Sequence, residues 1–277
     1  MAIISAFADE IDADPKVQMD TLEAHGVKHI DLRGAWDMNV MKLSDAQCKE
    51  LKSMLDDRGF GIPCIGSPIG KVPVDSDLDA HFDEFKHACD LSDFFEAGRI
   101  RMFSYYPPEA GGSVLDHRDT VIERLQQMCD FVVDRNITLV LENESRLYGS
   151  LPPQLADLFE TLRSDKLVMA FDPANFVNDG ALPVFETCWE PLKQYVGFFH
   201  IKDMVAGSTG PCVPGGEGDG DIEKVLAGAK AMGYDGVLTL EPHLAAAGQF
   251  KGHTGPQLFE RAVTALKGIC DRVGLSY

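Results

Sequence analysis

The sequence predicts an α/β protein of one domain, residues 1–277, in which eight strand–helix units close into a parallel barrel. Short apolar runs alternate with longer amphipathic runs along the chain, and strands that alternate with helices favour parallel pairing. Eight such units in 277 residues match the usual size of a closed (β/α)8, or TIM, barrel. No linker or low-complexity segment separates a second domain. A doubly wound open sheet is the alternative, because periodicity alone does not show closure.

Local signals set the limits of the first four units. Glycine closely follows each of the first three helices, as expected for a left-handed residue that closes a helix. Ser44 is a helix N-cap, and Leu51, Met54 and Leu55 recur behind it at helical spacing. The predicted strands are Ile3–Ala8, Lys28–Leu32, Gly61–Ile65 and Ile100–Tyr105, and the helices are Pro15–His25, Ser44 to Asp57, Leu78–Ala97 and Thr120–Asp134.

The second half of the chain repeats the pattern with four more strongly apolar strands. Each is followed by an amphipathic segment long enough for a helix. The predicted strands are Thr138–Leu141, Leu167–Phe171, Gly197–Ile201 and Gly236–Leu240, and the helices lie near Gln154–Leu162, Val184–Tyr195, Ile222–Met232 and Pro256–Val273. If the barrel closes, the first strand must pair with the eighth.

The composition argues against several classes of partner. The formal net charge is −19, and a nucleic-acid partner is not expected because phosphate binding requires a clustered positive field. The seven cysteines are scattered without a C-x-x-C pair, which is typical of reduced thiols. Neither a signal-peptide pattern nor an apolar run of 18 residues occurs, so we expect a cytoplasmic protein without a membrane span.

Four consecutive strand ends share one pattern of side chains. An ionisable residue lies at or just after the apolar part of each of the last four strands, namely Glu142, Asp172, His200 and Glu241. Side chains alternate along a strand, so His200 shares a face with Lys202 and the hydrophobic residues between and before them take the other. We therefore expect the ionisable groups to point into the barrel and the large hydrophobic residues to pack outward against the helices.

These four residues predict a metal site. Barrel enzymes keep their active sites at the carboxyl ends of the strands, and three carboxylates that meet there would repel one another unless a cation lay between them. Oxygen-rich ligation with one imidazole suits Mn²⁺, Mg²⁺, Co²⁺ or Zn²⁺. The sequence thus predicts one divalent metal ion and does not choose among these four.

Six short motifs are distributed along the chain. They are Ser67-Pro68-Ile69-Gly70-Lys71, Glu142-Asn143-Glu144, Phe171-Asp172-Pro173-Ala174-Asn175-Phe176, His200-Ile201-Lys202-Asp203, Gly216-Glu217-Gly218-Asp219-Gly220 and Leu240-Glu241-Pro242-His243. Over nearly the whole chain, the sequence resembles the sugar phosphate isomerase/epimerase family of xylose isomerase-like TIM barrels. The resemblance implies that the four strand-end residues bind a divalent metal, and that Glu142 and Glu241 are also the catalytic residues that exchange protons with the substrate.

The same resemblance implies a metal-dependent isomerase or epimerase of a sugar, sugar acid or sugar phosphate. Its chemistry is proton abstraction next to a carbonyl, with an enediolate-type intermediate whose charge the metal stabilises while carboxylates act as base and acid. One position departs from the family pattern. Ketose 3-epimerases of the family usually have histidine three residues after the aspartate that matches Asp172, where this chain has Asn175. The change argues against a free-ketose epimerase but leaves the four metal ligands in place.

Other polar residues at the same end of the predicted barrel are candidates for contact with a small carbohydrate substrate. They are Lys202, Asn175, Glu144, His243, Glu217, Lys71 and Arg101. Lys202 could polarise a substrate oxygen or form a structural salt bridge. Lys71, Arg101 and Arg33 could bind a phosphate or carboxylate, although a solvated basic side chain is the simpler interpretation of each. The acidic, glycine-rich stretch Gly215–Gly220 is interpreted as a flexible lid or a helix cap.

Three other functions are alternatives to this one. A lyase of the keto-inositol dehydratase type would use a similar metal and proton abstraction, followed by loss of a neighbouring hydroxyl. An endonuclease-type hydrolase is disfavoured, because the histidines of a multi-zinc cluster are missing near Asp172 and after His200. A non-catalytic sugar-binding barrel would not need both Glu142 and Glu241. A homo-oligomer is possible on composition, with the loop Tyr106–Ser113 as a candidate contact.

Overall fold

A parallel sheet of six strands forms most of the barrel wall. The computed structural model describes residues 1–245 and 253–277. The six strands of this sheet pair in parallel with their neighbours, and Ile3–Ala6 pairs with Val237–Leu240 in the register Ile3↔Val237 to Ala6↔Leu240. The predicted pairing of the first strand with the eighth is therefore confirmed. In order around the wall the strands are Ile3–Ala6, Val237–Leu240, Val196–Ile201, Leu167–Phe171, Thr138–Glu142 and Arg99–Met102. A separate antiparallel pair joins Gly34–Ala35 to Met38–Asn39.

Two extended segments, residues 28–32 and 61–65, complete the wall. They are joined by isolated bridges at His29↔Gly61 and Leu32↔Ile65 rather than by a continuous ladder. Residue 31 donates its backbone N–H to Ala6 on one side, and Ile65 donates to Arg99 on the other, each at 2.9 Å. The ring of eight segments therefore closes, and the predicted α/β TIM barrel is confirmed.

Seven of the main helices lie within a few residues of the predicted ones, whereas the short helix Pro173–Asn178 is not among the predictions. Ser44 and Gln47 form the predicted N-terminal cap of the second helix as a capping box. The helices are Pro15–Ala24, Asp45–Asp57, Leu78–Phe95, Arg118–Phe131, Pro152–Leu162, Pro173–Asn178, Ile222–Ala231 and Gly255–Val273. None of the helices in the described part of the chain is both long and apolar enough to cross a bilayer.

The helix predicted over Val184–Tyr195 is instead a composite. It consists of a π-helical turn, Phe185–Trp189, a short α-helical turn, Glu190–Leu192, and a 3₁₀ turn, Lys193–Tyr195. Pro191 lies in the middle of this segment. Because proline has no N–H to donate, it interrupts a regular hydrogen-bond ladder.

The core has two layers, and one large side chain lies on the side opposite to the prediction. Phe171 and Phe199 point outward and pack on Trp189 at ring-centroid distances of 5.7 and 5.9 Å, as expected. A separate small cluster fills the barrel interior with Cys64, Val140, Ala170, Phe198 and Val237. The expectation that large hydrophobic residues all face outward is wrong for Phe198, because it has the same strand parity as His200. These interior residues form an apolar layer on the inward side of the strands that carry the candidate ligands.

Candidate metal centre

The barrel brings the four predicted ligands together. Glu142 ends its strand, Asp172 and Glu241 each follow one directly, and His200 is the penultimate residue of its strand. All four side chains are buried. One candidate ligand atom from each lies within 4.8 Å of those from the other three. The arrangement is a buried candidate metal site of three carboxylates and one imidazole.

One oxygen of each carboxylate is held by a group outside the cluster, and the other oxygen lies inside the cluster. Glu142 Oε2 lies 3.2 Å from Arg101 Nη1, and Glu241 Oε1 accepts from Arg33 Nη1 at 2.9 Å. Asp172 caps the helix Pro173–Asn178, and its Oδ1 accepts from the backbone of the third helical residue at 3.1 Å. The three remaining oxygens, Glu142 Oε1, Asp172 Oδ2 and Glu241 Oε2, each lie 2.7–3.7 Å from His200 Nδ1 or Lys202 Nζ.

Two buried atoms in the cluster suit a metal. Within the described residues, neither Asp172 Oδ2 nor His200 Nδ1 makes a hydrogen bond of good geometry. Each lies beside a charged group instead, Lys202 Nζ at 2.7 Å and Glu142 Oε1 at 3.2 Å, respectively, and a buried polar atom with a poorly directed partner is costly. Burial raises the pKa of the Asp172 carboxyl to about 6, against the opposing charge of Lys202. A divalent cation would favour the ionised carboxylate and give both atoms a well-directed partner. The donor set therefore fits such an ion.

The two glutamates are ionised despite their burial. Burial by itself raises the pKa of Glu142, but the charges of His200 and Arg101 prevail and lower it to about 2. Lys202 is the largest influence opposing burial at Glu241, whose pKa also lies well below its usual value. Both carboxylates are therefore charged at neutral pH, as proton acceptors must be.

Lys202 and Asn175, two predicted substrate contacts, lie against the cluster. Lys202 Nζ is 2.7 Å from Asp172 Oδ2 and 3.5 Å from Glu241 Oε2, so it forms the salt bridge that was the alternative interpretation. Asn175 Nδ2 donates to Glu142 Oε1 at 3.3 Å. Asparagine in this position thus bonds to a candidate ligand from the protein side.

Arg33 and Arg101 are not the solvated side chains that were the simpler interpretation of each. Both are largely buried, with side-chain exposures of 15 % and 7 %, and each contacts one of the two glutamates. Neither the anion-ligand nor the solvated interpretation of Arg33 anticipates its contact with Glu241, and its partner Glu10 is not among the predicted site residues. Glu10 lies 3.2 Å from Arg33 Nη2. Its one signal in the sequence is that it follows the first strand closely, as the other site residues follow theirs.

His243 joins the same network at the edge of the cluster. Its Nε2 lies 2.7 Å from Glu10 Oε1 and 3.4 Å from Glu241 Oε1, while its side chain remains 44 % exposed. It is thus a solvent-accessible polar group beside a candidate ligand. Asn143, not predicted as a site residue, bonds to both the N–H and the carbonyl of Asp172 and joins the ends of two neighbouring strands.

The remaining predicted contacts are farther from the cluster. Lys71 Nζ donates to Glu144 Oε2 at 2.6 Å, so these two predicted substrate contacts neutralise each other. Glu217 is exposed and pairs at 3.5 Å with Arg261 of the last helix. Among the described residues, Glu217 makes no hydrogen bond or ion pair with the four candidate ligands.

The glycine-rich loop is tied to the strand that carries His200. The buried carboxylate of Asp203 accepts backbone N–H groups from Met204, Gly216, Gly218 and Gly220 at 2.8–3.1 Å. A Cβ at Gly218 would lie 2.4 Å from Asp203 Oδ1, so the close approach requires glycine there. The N–H groups that could have bound a substrate anion are already satisfied by the protein's own carboxylate.

Solved structures with the same fold match nearly the whole chain. The probable 3-DHS dehydratase AsbF, involved in petrobactin synthesis, from Bacillus anthracis is 17 % identical with a TM-score of 0.74, covering 96 % of this chain and 99 % of that one. An L-ribulose 3-epimerase is 15 % identical with a TM-score of 0.74, covering 99 % and 96 %. The IOLI protein with a bound zinc atom is 16 % identical with a TM-score of 0.76, covering 99 % of each chain. At these identities the likeness shows the fold alone.

Sequence comparison identifies the family independently of the fold. No curated protein matches the sequence significantly. The profile described as xylose isomerase-like TIM barrel matches residues 19–268, a range that includes all four candidate ligands. The chain belongs to the xylose isomerase-like TIM barrel family.

Proposed function

We propose that this protein is a divalent-metal-dependent isomerase or epimerase of a small sugar, sugar acid or sugar phosphate. One observation carries the proposal: two buried, ionised glutamates from separate strands, Glu142 and Glu241, each turn one oxygen toward the same cluster. A binding protein would gain nothing from a second ionised, buried glutamate, whose desolvation is costly. Proton transfer at a substrate carbon requires such groups.

The metal would be held by Glu142, Asp172, His200 and Glu241. When bound, it would supply a positive charge that stabilises the anion formed by deprotonation next to a carbonyl. His200 must be neutral to serve as a ligand, and its pKa is raised, because Glu142 outweighs the effect of burial. Metal binding would therefore release a proton from this imidazole.

The two glutamates would transfer the proton. In an epimerisation, one carboxylate would remove the proton from one face of the substrate. The other glutamate would first take up a proton, from solvent or, for Glu241, from His243 Nε2 at 3.4 Å, and then deliver it to the opposite face. Glu142 and Glu241 lie on the fifth and eighth wall segments, so they can approach a central carbon from different directions. An aldose–ketose isomerisation could use one of them alone. Lys202 and Asn175 would orient substrate oxygens beside them.

A β-elimination is the second candidate, and one contact favours it. His243 is exposed at the edge of the cluster and lies 3.4 Å from Glu241 Oε1. A solvent-facing imidazolium next to the base could donate a proton to a leaving hydroxyl. The lyase would share proton abstraction with the isomerase and differ in losing water.

The proposal is tested by incubating the protein in D₂O with Mg²⁺ or Zn²⁺ and a panel of ketoses, keto acids and inososes, read by NMR. These two ions are diamagnetic and leave the spectra sharp. Deuterium at a substrate carbon with inversion or carbonyl migration supports the epimerase or isomerase. Loss of water supports the lyase. A protein that loads the metal but exchanges no hydrogen with any member of the panel contradicts both.

Replacement of the glutamates connects the activity to the site. Glu142→Gln and Glu241→Gln should each lower turnover by about 10²–10⁴-fold, the usual contribution of a general acid or base. Metal content must be measured on the same samples, because each residue is also a candidate ligand. The matched control is Glu223→Gln, a surface glutamate paired with Arg272. A Glu241→Gln enzyme that keeps both its metal and its full turnover would reject the two-base scheme.

A further inference from the structure

We propose that Arg33 and Arg101 are positioning residues that each hold one oxygen of a glutamate, so that Glu241 and Glu142 direct a single oxygen apiece into the candidate metal centre. The inference rests on the proposed function, since it assigns these arginines a part in the same site. It is drawn from the contacts of the two guanidinium groups. Residue 33 follows the segment 28–32, and residue 101 lies in the strand Arg99–Met102, with the segment 61–65 between them in the wall.

The Arg101 guanidinium is fixed by the backbone before it reaches Glu142. Its Nε and Nη2 donate to the carbonyls of Ser67 and Gly66, each at 3.3 Å. Nη1 lies 3.2 Å from Glu142 Oε2. The other glutamate oxygen, Oε1, lies 3.2 Å from His200 Nδ1. Arg101 thus contacts the oxygen that faces away from the imidazole.

Arg33 makes the corresponding contact to the other glutamate. Its Nε and Nη2 lie 2.8 Å from Asp9 Oδ2 and 3.2 Å from Glu10 Oε1. Nη1 donates to Glu241 Oε1 at 2.9 Å, while Glu241 Oε2 lies 3.7 Å from His200 Nδ1. As with Glu142, the oxygen bound to arginine is not the one nearest to His200.

Phe7 supports both arginines. Their Cζ atoms lie 4.6 Å and 4.7 Å from the centre of its ring, within cation–π distance. The Phe7 ring also makes an edge-to-face contact with the His200 imidazole, with the two ring centroids 5.2 Å apart. The rigid Phe7 ring restricts rotation of the two planar guanidinium groups. A flexible lysine side chain at either position would not be held in the same way.

These contacts fix the orientation of the two carboxylate groups. A glutamate that is free to rotate can offer either or both oxygens to a metal, whereas a glutamate held by a fixed guanidinium group offers only one. Groups that orient ligands from outside are typically worth about 10–100-fold in metal affinity or activity. Loss of either arginine should therefore change how its glutamate binds the metal, in addition to removing a charge.

The experiment uses Co²⁺, whose visible absorption reports its coordination. Wild type, Arg33→Gln, Arg101→Gln, Arg33→Lys and Arg101→Lys are titrated with Co²⁺ by calorimetry, and their spectra are recorded at saturation. The matched control is Arg124→Gln, since Arg124 is also buried, bonds to a backbone carbonyl of Ser76 at 2.6 Å and lies on the Tyr105 ring, away from the cluster. Hydrogen exchange into any substrate found in the D₂O panel is measured on the same proteins.

We expect all the variants to bind one Co²⁺, the Gln and Lys variants at positions 33 and 101 to show altered band intensity, and their exchange rates to fall about 10–100-fold. Gln variants with the wild-type spectrum would overturn the proposal by showing that the arginines have no role in metal coordination. Lys variants that restore the wild-type spectrum would overturn it by showing that positive charge alone is sufficient. An equal change in Arg124→Gln would show general loosening and also overturn it. If a Gln variant does not fold, Phe7→Leu replaces it, since it keeps both charges while removing their support, and the same spectral change is expected. Wild type that binds no Co²⁺ would refute the metal-dependent function itself, which separates the two failures.

Discussion

Asp31 is a carboxyl group buried inside the barrel and held between two hydroxyls. Ser5 Oγ donates to its Oδ1 at 3.0 Å, and Thr239 Oγ1 donates to its Oδ2 at 2.7 Å. Burial raises its pKa from 3.8 to about 6, although the two hydroxyl groups and the charge of His200 oppose the rise. The folded state therefore favours the protonated carboxyl more than the unfolded state does.

This residue predicts a specific pH dependence of stability. Between about pH 4 and pH 6 the folded state binds more protons at Asp31, so the free energy of unfolding falls as the pH rises through this window. The shift corresponds to about 3 kcal/mol. Asp31→Asn should remove this loss, so its stability relative to wild type should rise by about that amount from pH 4 to pH 7 in urea unfolding. Asp119→Asn, at an exposed position, is the control. Curves for wild type and Asp31→Asn that stay parallel across this range would contradict the assignment.

The four candidate ligands could be predicted because two local rules agree on them. Each lies at a strand end, and strand parity alone places Glu142 and His200 on the inner face. The partners of Arg33 could not be found this way. Its contact with Glu241 spans 208 residues, and its contact with Glu10 depends on the 3₁₀ turn Ala8–Glu10, which replaces the predicted end of the first strand. Such contacts depend on closure of the barrel and leave no periodic signal.

The loop that follows the seventh strand is organised around one side chain. Asp203 is fully buried, and four backbone N–H groups converge on it. The sequence suggested a flexible lid or a helix cap for the glycine-rich stretch. The helix Ile222–Ala231 has no side-chain cap, and the described loop is instead tied to the end of the strand that carries His200.

Asp203→Ala should therefore cost stability beyond the usual effect of a loop substitution. Four N–H groups lose their acceptor, and those that remain buried are left unpaired, so we expect a loss of roughly 2–4 kcal/mol in the free energy of unfolding. Urea denaturation measures it. Glu217→Ala in the same loop should change stability by no more than about 0.5 kcal/mol, because its side chain is exposed. Equal stability of the two variants would show that the contacts to Asp203 contribute nothing.

Element limits were predictable where a local cap decides them. Ser44 marks the start of one helix, where it forms a capping box with Gln47. The apolar runs of the last four strands predict the limits of those strands to within one residue. The composite segment around Pro191 and the sparse ladders of residues 28–32 and 61–65 were not predicted, because hydrophobic pattern reports burial and not which backbone groups pair. A pattern of eight units was nevertheless enough for the architecture.

At the level of the whole molecule, closure of the barrel creates the site. Arg33, Glu142 and Glu241 come from distant parts of the chain, and only a closed ring places the second, fifth and eighth wall segments around one mouth. The apolar interior layer with Phe198 fills the barrel and leaves the ionisable groups as a cluster. The architecture thus concentrates three carboxylates and one imidazole at one mouth, where Arg33, Arg101 and Lys202 pair with the carboxylates from around the cluster.

The most direct measurement is therefore Mn²⁺ binding at pH 7.5, followed by calorimetry and by EPR of the free ion. The account predicts one Mn²⁺ per chain in wild type, a loss of at least about tenfold in affinity for Asp172→Asn and for His200→Ala, and wild-type affinity for the surface control Asp56→Asn. Wild type without a stoichiometric site, or Asp172→Asn and His200→Ala proteins that bind Mn²⁺ as tightly as wild type, would contradict the claim that these four residues hold a metal.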